Sequence, residues 1–371
     1  MSGRVLITGG AGFIGAHAAA ELLEQGWEVR ALDNLTPQVH EAGERPDYLD
    51  PDVELVVGDV RDPDAVRGAL DGVDAVLHLA ARVGVGQSMY EIAEYTSVNT
   101  HGTAVLLEAL LEHPVQRLVV ASSMSIYGEG RYVTDDGRPI DVGERSRAQL
   151  ERGEWEPRGP AGERLLPAPT PESKTPSLSS IYALNKYDQE RMCLLFGSAY
   201  HTQTTALRFF NVYGPHQALS NPYTGVLAIF AGRLLNDRPP LVFEDGEQRR
   251  DFVSVSDIAR ACRLALERDG RDGLVANVGS GASVSVVEIA EKLSRVMGRE
   301  DIAAEITGRF RVGDIRHCVA DVEHARTALG YEAQVCLEDG MAELATWLEG
   351  EVATDRVEHA TAELAARGLA V

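Results

Sequence analysis

The first third of the chain alternates short apolar runs with segments of helical periodicity. Residues 13–25 carry apolar positions at helical spacing, directly after a glycine-rich turn at residues 8–12. Strands that alternate with helices are typical of a parallel sheet covered on both faces, so the sequence predicts an α/β, Rossmann-type doubly wound fold. The runs with the length of buried strands are residues 4–7, 27–32, 54–57, 75–79 and 117–121.

Two long helices are predicted further along, at residues 91–111 and 180–200, from apolar residues at helical spacing. Between them, residues 131–176 are dense in Pro, Gly, Arg and Glu and have no apolar period. We interpret this stretch as an insertion near the functional site. A solvated surface loop is the alternative that its composition leaves open.

The second half of the chain predicts a smaller mixed α/β lobe. Residues 1–211 are expected to form the larger domain, and residues 212–350 mainly the lobe, with some segments returning to the first domain. Residues 351–371 have a helical pattern beyond the last expected element and are expected to form a peripheral tail helix. The predicted elements of the lobe include strands at residues 241–243 and 276–278 and helices at 255–267, 285–297 and 322–329.

The composition is that of a globular protein and disfavours several functions. Of 371 residues, 44% are hydrophobic and 25% charged, and the net charge of −22 comes with dispersed Lys and Arg, so no nucleic-acid partner is expected. The four cysteines form no CxxC pair, which predicts no disulfide framework, no metal site and a reducing cytoplasm. No apolar stretch approaches the length that spans a bilayer, so no membrane partner is expected.

A glycine motif between the first strand and the first helix predicts a dinucleotide site. Gly9 permits a tight turn, Gly12 lets the backbone approach a pyrophosphate, and Gly15 allows close packing of the helix. The start of the helix adds N–H groups and a favourable dipole for the phosphates. The candidate residues of this turn are Gly9, Gly12, Phe13, Ile14 and Gly15.

Asp33, at the end of the second strand, selects the type of dinucleotide. A carboxylate there can bind the adenosine ribose and would repel a 2′-phosphate, and Asn34 rather than Arg follows, so NAD is favoured over NADP. A turn or helix-capping Asp is the alternative. Asp59 and Val60 follow the third strand and can hold the adenine by a hydrogen bond and an apolar contact. Small residues after the fourth strand let the chain pass beside the cofactor: Leu79, Ala80 and Ala81.

The candidate catalytic residues lie on two predicted elements. Tyr182 and Lys186, four residues apart on the predicted helix 180–200, face the same way. A nearby ammonium and a cationic nicotinamide ring would lower the phenol pKa, and Lys186 could also hold the nicotinamide ribose. A surface pair is the alternative. Ser122 and Ser123 end the fifth strand at the ligand-binding edge, with Ser123 at the substrate and Ser122 at the cofactor. Asn99 is expected to bind a backbone group or water that orders Lys186; a plain polar helix residue is its alternative.

These residues resemble the extended short-chain dehydrogenases that act on nucleotide sugars, in the epimerase/dehydratase branch. Further blocks similar to that family stand at residues 208–215, 249–253 and 311–314. The resemblance implies NAD as cofactor, a nucleotide-diphosphate sugar as substrate and a homodimer built on helices 91–111 and 180–200. It also implies sugar and diphosphate contacts by Asn211, Arg250 and Arg311. Salt bridges with the abundant carboxylates are the alternative role of the two arginines.

Two positions discriminate between the reactions of that family. The similar 4,6-dehydratases carry Asp-Glu where this chain has Met124 and Ser125, and hexuronate decarboxylases keep a Glu at the position of Ser125. C4 epimerisation needs neither carboxyl group, so it is the favoured reaction. A reductase or dehydrogenase that releases its dinucleotide, and a non-catalytic dinucleotide-sensing protein, are the alternatives. Residues 83–95 and 169–190 resemble a bacterial branch assigned as dTDP-L-rhamnose 4-epimerases; UDP-glucose and UDP-galactose stay open as substrates.

Overall fold

The computed structural model describes residues 3–40, 43–219, 225–270, 273–311, 313–349, 351 and 357–370. The strands are β1 (Arg4–Thr8), β2 (Glu28–Asp33), β3 (Glu54–Val57), β4 (Ala75–His78), β5 (Arg117–Ser123), β6 (Arg131–Val133), β7 (Pro139–Ile140), β8 (Leu166–Ala168), β9 (Gln203–Phe209), β10 (Asn211–Tyr213), β11 (Leu241–Val242), β12 (Arg249–Arg250), β13 (Phe252–Ser254), β14 (Leu274–Val278), β15 (Val284–Ser285), β16 (Glu305–Ile306) and β17 (His317–Cys318). The α-helices are α1 (Phe13–Glu24), α2 (Pro63–Ala69), α3 (Val85–Ser88), α4 (Ile92–Thr96), α5 (Gly102–Glu112), α6 (Arg147–Glu151), α7 (Ile181–Tyr200), α8 (Val226–Leu235), α9 (Val255–Glu267), α10 (Val286–Val296), α11 (Glu323–Leu329), α12 (Leu337–Leu348) and α13 (Val357–Ala366).

The main sheet is fully parallel and has the strand order β14-β9-β5-β4-β1-β2-β3. One face packs on α1, α9 and α11, and the other on α2, α5 and α7. Burial on both faces explains why the strands read as apolar runs, since parallel sheets have no solvated side. The predicted Rossmann-type fold is confirmed. The order reverses between β1 and β4, which is where open α/β sheets bind their ligands.

Two strands of this sheet differ from the sequence prediction. β9 was not predicted, because Thr204 and Thr205 interrupt its apolar pattern although both are buried. Residues 276–278 were expected in the lobe, whereas β14 pairs with β9 at the edge of the main sheet. The helix predicted at residues 255–267 is likewise α9, which packs against α1. These are segments that return to the first domain from the second half of the chain.

The helix predicted at residues 91–111 is interrupted in the structure. α4 is followed by a π-helical turn at Ser97–His101, and α5 begins at Gly102. A π-helical turn inserts extra backbone into a helix and is frequent at functional sites. Here it places Asn99, which is fully buried, beside the chain that follows β4.

The insertion at residues 131–176 is an ordered part of the fold. β6, β7 and β8 form a small antiparallel sheet, and α6 follows β7 along the chain. Ion pairs join this region to the lobe: the buried Arg145 pairs with the buried Glu244 at 2.8 Å, and the buried Arg316 pairs with the more exposed Glu156 at 2.6 Å. Such pairs need well-fixed partners, because a buried charge without one is costly. The alternative of a solvated surface loop is therefore wrong for this segment.

The lobe has its own core, formed mainly by α8, α10 and α12. Short strands pair around it, including β10 with β13 and β11 with β16. β10 continues directly from the carboxyl end of β9, and this places the lobe beside the ligand-binding edge of the main sheet. A cleft between a parallel sheet edge and a second lobe is a common position for an active site.

Candidate active site

A cleft of about 660 Å³ lies at the carboxyl edge of the main sheet. It is lined by the glycine turn, by residues that follow β2, β3, β4 and β5, by the start of α7, and by the lobe. Its size is within the range of pockets that bind cofactors and small molecules. None of the residues of the insertion at 131–176 lines it, so the expectation that the insertion lies near the site holds only indirectly. The insertion packs behind residues 314–317 instead.

The glycine turn has the geometry that a dinucleotide pyrophosphate requires. Gly9 has a φ of +70°, and a Cβ on Gly15 would lie 2.3 Å from the Gly9 carbonyl oxygen. Both positions therefore exclude any larger residue. Gly12 precedes α1, and neither a side-chain cap nor an acidic residue occupies the first turn of that helix. The N–H groups of the first turn of α1 can therefore donate hydrogen bonds to an anion. Gly9, Gly12, Phe13, Ile14 and Gly15 all line the cleft.

The adenosine side of the cleft is built around two carboxylates. Asp33 accepts hydrogen bonds from the N–H groups of Ala11, at 3.1 Å, and Leu35, at 2.9 Å, which fix its carboxylate. Asp59 accepts from Asn34, and its hydrogen bond to Arg61 lowers the pKa of Asp59 to about 2. Both carboxylates are thus held in position before a ligand binds. The remaining predicted residues of this side, Val60, Leu79, Ala80 and Ala81, also line the cleft.

Ser123, Tyr182 and Lys186 meet in the cleft. Ser180 caps α7 by accepting the N–H of Ala183, so the helix starts at Ile181, one residue before Tyr182. The Ser123 hydroxyl lies near enough to the Tyr182 phenol to lower the pKa of Tyr182. The Ser123 oxygen also accepts the N–H of Ser125 at 3.1 Å. The structure therefore brings together the three residues that the sequence singled out, and Lys186 lies one helical turn from Tyr182.

The pKa of Tyr182 is not lowered by the protein alone, although the sequence predicts a lowered pKa beside Lys186 and a bound nicotinamide. Burial raises the pKa of Tyr182 to about 12, and the nearby Ser123 hydroxyl only partly opposes this. Burial lowers the pKa of Lys186 to about 8, so its ammonium stays mostly charged at pH 7. A lowered Tyr182 pKa is thus not present in the protein side chains alone, because desolvation of the phenolate is the largest effect on it.

Asn99 binds a backbone group, and Ser122 binds a buried side chain. The Asn99 side chain binds the backbone of Arg82 on both sides, accepting its N–H at 2.7 Å and donating to its carbonyl at 3.1 Å. It thus fixes the chain after β4, and within the described part of the chain it makes no contact with Lys186. Ser122 lines the cleft, but its hydroxyl donates to the buried Glu190 at 2.6 Å. That hydroxyl serves packing rather than the cofactor.

The predicted substrate residues all line the cleft on the lobe side. Asn211 donates to the carbonyl of Asp251 at 2.9 Å. Arg250 pairs with Asp314 at 3.3 Å, and the Arg311 guanidinium stacks 4.1 Å over the Phe243 ring. Arg250 therefore makes a salt bridge, as the alternative role describes. Asp314 orients the Arg250 guanidinium at the edge of the cleft. Fixed guanidinium groups match a diphosphate by paired donors.

One wall of the cleft is apolar, and it was not predicted from the sequence. Val83, Val85 and Met89 form it on the Tyr182 side, where the Tyr182 N–H donates to Ser88. Leu364 of α13 packs on Gly86 and completes the wall. A peripheral helix would not do this, so the expected tail helix instead belongs to the cleft. Its helical pattern carried no signal for that contact, which depends on tertiary packing.

The described residues contain neither a metal cluster nor a membrane-spanning helix. No cluster of three or more His, Cys, Asp or Glu side chains has the arrangement of a metal site in the part of the chain that the structure covers. Among the same residues, no helix combines the length and the apolar character needed to cross a bilayer.

Comparison with known proteins gives consistent matches along the chain. Residues 5–147 and 159–279 match the model of the NAD dependent epimerase/dehydratase family. A dTDP-L-rhamnose 4-epimerase of Burkholderia thailandensis is 36% identical over 354 residues, covering 94% of this chain and 96% of that protein.

Solved structures agree with these matches. The UDP-glucose 4-epimerase of Thermotoga maritima, solved with UDP-glucose, superposes with a TM-score of 0.75 at 29% identity, covering 93% of this chain and 98% of that one. The UDP-glucose 4-epimerase of Thermus thermophilus, solved with NAD, gives a TM-score of 0.73 at 30% identity, with coverage of 94% and 100%.

Proposed function

Because the chain belongs to the NAD-dependent epimerase/dehydratase family, we propose that Ser123, Tyr182 and Lys186 carry out C4 epimerisation of a nucleotide-diphosphate sugar in the cleft. The chain is an NAD-dependent nucleotide-sugar 4-epimerase, like the relatives that it matches over nearly its whole length. The observation that supports the assignment of residues is the position of Ser123, Tyr182 and Lys186 in one cleft at the sheet edge. Met124 and Ser125 supply no carboxyl group for dehydration.

The residues of the glycine turn and Asp33 fit NAD. Gly15 packs against the glycine turn where no Cβ would fit, so α1 starts close to the turn. The uncapped start of α1 offers N–H donors for a pyrophosphate. Asp33 would bind the adenosine ribose, and Lys186 the nicotinamide ribose. When bound there, NAD would supply the hydride acceptor and donor that inversion at C4 requires.

The protein side chains handle the proton. Tyr182 takes the proton of the sugar 4-hydroxyl as the hydride leaves, and Ser123 holds the same oxygen by a hydrogen bond. The Lys186 ammonium favours the Tyr182 phenolate, whose pKa burial would otherwise keep near 12. Arg250 and Arg311 hold the diphosphate from the lobe side of the cleft. Ser123 would keep its hydrogen bond to the C4 oxygen while the sugar turns within the cleft, and Tyr182 would return the proton to that oxygen.

The apolar wall favours a 6-deoxyhexose as the sugar. Val83, Val85, Met89 and Leu364 offer no donor or acceptor to a 6-hydroxyl, and burying a hydroxyl there without a partner would be costly. A methyl group at C6 fits such a wall. The sugar of the Burkholderia relative's named substrate, dTDP-L-rhamnose, has this chemistry, and we propose the same substrate class here.

We expect dTDP-L-rhamnose to be converted to its C4 epimer without added NAD, and UDP-glucose to be converted at least about tenfold more slowly. The factor corresponds to the lowest range for one mismatched group in a pocket. Proton NMR of the incubated nucleotide sugars distinguishes the epimers by the couplings of H4. Equal rates on UDP-glucose would refute the 6-deoxyhexose proposal. A strict requirement for added dinucleotide, with net oxidation or reduction of the sugar, would instead favour a dehydrogenase.

We also propose a homodimer formed by α4, α5 and α7. These helices expose apolar side chains, and Leu184 and Leu195 lie eleven residues apart on one face of α7, at 41% and 61% exposure. Ile92 on α4 and Leu111 on α5 extend the same kind of surface. A large exposed apolar area of this type marks an interaction site. Pairing α5 and α7 with their copies would form a four-helix bundle.

Sedimentation at micromolar concentration is expected to give the mass of two chains. The Leu195→Glu variant should shift the mass to one chain, because a carboxylate in an apolar interface has no partner there. Ile306→Glu is the matched control: Ile306 is 54% exposed on β16 of the lobe, and its replacement should leave the mass unchanged. A wild-type mass of one chain would contradict the proposal.

A further inference from the structure

The Lys186 ammonium is held by a side chain that the reaction scheme does not use. Lys186 is only 3% exposed, and its ammonium donates to the Gln189 side-chain oxygen at 2.9 Å. Within the described residues, Gln189 is the one side chain that accepts a hydrogen bond from it. An ammonium has three N–H donors, so this bond leaves two for the ribose and the phenol side.

The orientation of the Gln189 amide is fixed by its own partners. Its nitrogen donates to the Thr103 hydroxyl oxygen at 2.9 Å and to the Ala80 carbonyl at 3.3 Å. If the amide were flipped, an NH2 group would face the Lys186 ammonium and the oxygen would face the Ala80 carbonyl. The hydrogen-bond partners therefore allow only one orientation, with the oxygen towards Lys186.

The network continues through His78 to β1. The Thr103 hydroxyl donates to the Asn99 carbonyl at 2.6 Å, so its oxygen can only accept from its other neighbours. His78 Nε2 lies 2.8 Å from the Thr103 hydroxyl and 3.3 Å from the Gln189 side-chain nitrogen, and His78 Nδ1 lies 2.7 Å from the Thr8 hydroxyl. The Thr8 oxygen accepts the N–H of Ala80. All of these donors and acceptors are satisfied, as a buried polar network requires.

We propose that Gln189 is a positioning residue for Lys186: it holds the ammonium beside Tyr182, and Thr103, His78 and Thr8 hold the Gln189 amide in turn. The network ties the catalytic helix α7 to β4 and to β1, whose last residue, Thr8, precedes the glycine turn. The network thereby fixes the position of Lys186 relative to β1, the strand that leads into the proposed cofactor site. This inference rests on the role proposed above for Lys186.

The other ionisable groups around Lys186 do not replace this acceptor. On α7, Glu190 is paired with Arg208 of β9, and burial raises the pKa of Cys193 to about 12, which keeps the thiol protonated. On β4, burial and the charge of Lys186 lower the pKa of His78 to about 3, so the ring is neutral near pH 7. Tyr182 is neutral in the absence of a ligand. Loss of Gln189 would therefore leave a buried ammonium without its acceptor.

The chain offers a direct measurement, because it contains only three lysines: Lys174, Lys186 and Lys292. Protein labelled with carbon-13 at the lysine Cε atoms, without added ligand, gives a spectrum of three groups whose shifts report each pKa. Lys174→Arg and Lys292→Arg variants assign the signals. For Gln189→Met, the Lys186 midpoint should fall by about one unit or more, since a hydrogen bond to a charged group is lost. Gln189→Glu should raise the midpoint, because a carboxylate favours the ammonium.

Turnover should follow the same shift. The rate is lost as pH rises through the Lys186 pKa, because the ammonium loses its charge, so the alkaline limb for Gln189→Met should move to lower pH by the same interval. Near pH 8 a fall of one unit in the Lys186 pKa is a loss of about fivefold in kcat, which approaches about tenfold at higher pH, with KM for the sugar little changed. Thr103→Val should give a smaller shift in the same direction. Gln334→Met, at an exposed position, is the control and should change neither quantity.

An unchanged Lys186 midpoint in folded Gln189→Met would overturn the proposal. If that variant fails to fold, a midpoint that does not rise in Gln189→Glu overturns it equally. The titration needs no substrate, so it decides the role of Gln189 even if the wild-type protein converts none of the nucleotide sugars. A failure of the wild-type protein to convert any nucleotide sugar would count against the proposed function alone.

Discussion

Replacing Tyr182 by Phe is expected to lower kcat for epimerisation by about 10²–10⁴-fold, the usual effect of losing a general base. The substitution removes the phenol hydroxyl beside Ser123 and leaves the ring and its packing in place. NAD content after denaturation should be nearly unchanged, because the phenol oxygen is assigned to the sugar rather than to the cofactor. Rates and released NAD(H) should be measured on the same preparations.

Comparison variants make this result specific. Tyr200→Phe removes a hydroxyl from the same helix at a residue that is 58% exposed, and should leave the rate unchanged. Lys186→Met should reduce both the rate and the retained NAD, whereas Ser123→Ala should mainly reduce the rate. A Tyr182→Phe enzyme that keeps most of its activity would remove the central assignment of the site.

Much of the fold could be predicted because its strands and glycine turn carry local signals. The first five parallel strands are apolar runs, and the turn at residues 8–15 combines glycine spacing with its position between a strand and a helix. β9 lacked such a signal because Thr side chains interrupt it. β14 was predicted as a strand but placed in the lobe, because it lies far along the chain. Strand partners separated by that distance are decided by tertiary packing, which periodicity does not report.

The candidate site divides in the same way. Ser123, Tyr182 and Lys186 could be found because each has a fixed place on a strand end or a helix face, and the structure brings them to one cleft. Asn99 was expected to bind a backbone group or water, and it binds the backbone of Arg82, but its expected link to Lys186 stays a prediction. Gln189 was missed because a Gln three residues after a Lys is common on helices. Its meaning depends on Thr103 and His78, which come from other elements.

The buried pair of Arg208 and Glu190 is expected to have the largest effect on stability. Arg208 on β9 donates to both carboxylate oxygens of Glu190 on α7, at 2.9 and 2.7 Å, and their side chains are 6% and 1% exposed. Glu190 also accepts the Ser122 hydroxyl. This arrangement ties α7, which carries Tyr182 and Lys186, to two strands of the main sheet.

Arg208→Met should lower the free energy of unfolding by about 3–5 kcal/mol, because it leaves the Glu190 carboxylate buried with a single hydroxyl donor. Urea denaturation followed by circular dichroism measures this. Arg147→Met is the matched control, since Arg147 pairs with Glu151 at 2.9 Å on the surface and should contribute less than about 1 kcal/mol.

The double variant Arg208→Met with Glu190→Met separates the cost of an unpaired charge from the loss of attraction within the pair. Two apolar side chains of similar size leave no buried carboxylate, so the double variant should be more stable than Arg208→Met alone. If both variants are equally destabilised, the pair acts through its geometry rather than through desolvation of Glu190. A single variant Arg208→Met that is as stable as the wild type would mean that α7 is held to the sheet by its apolar contacts alone.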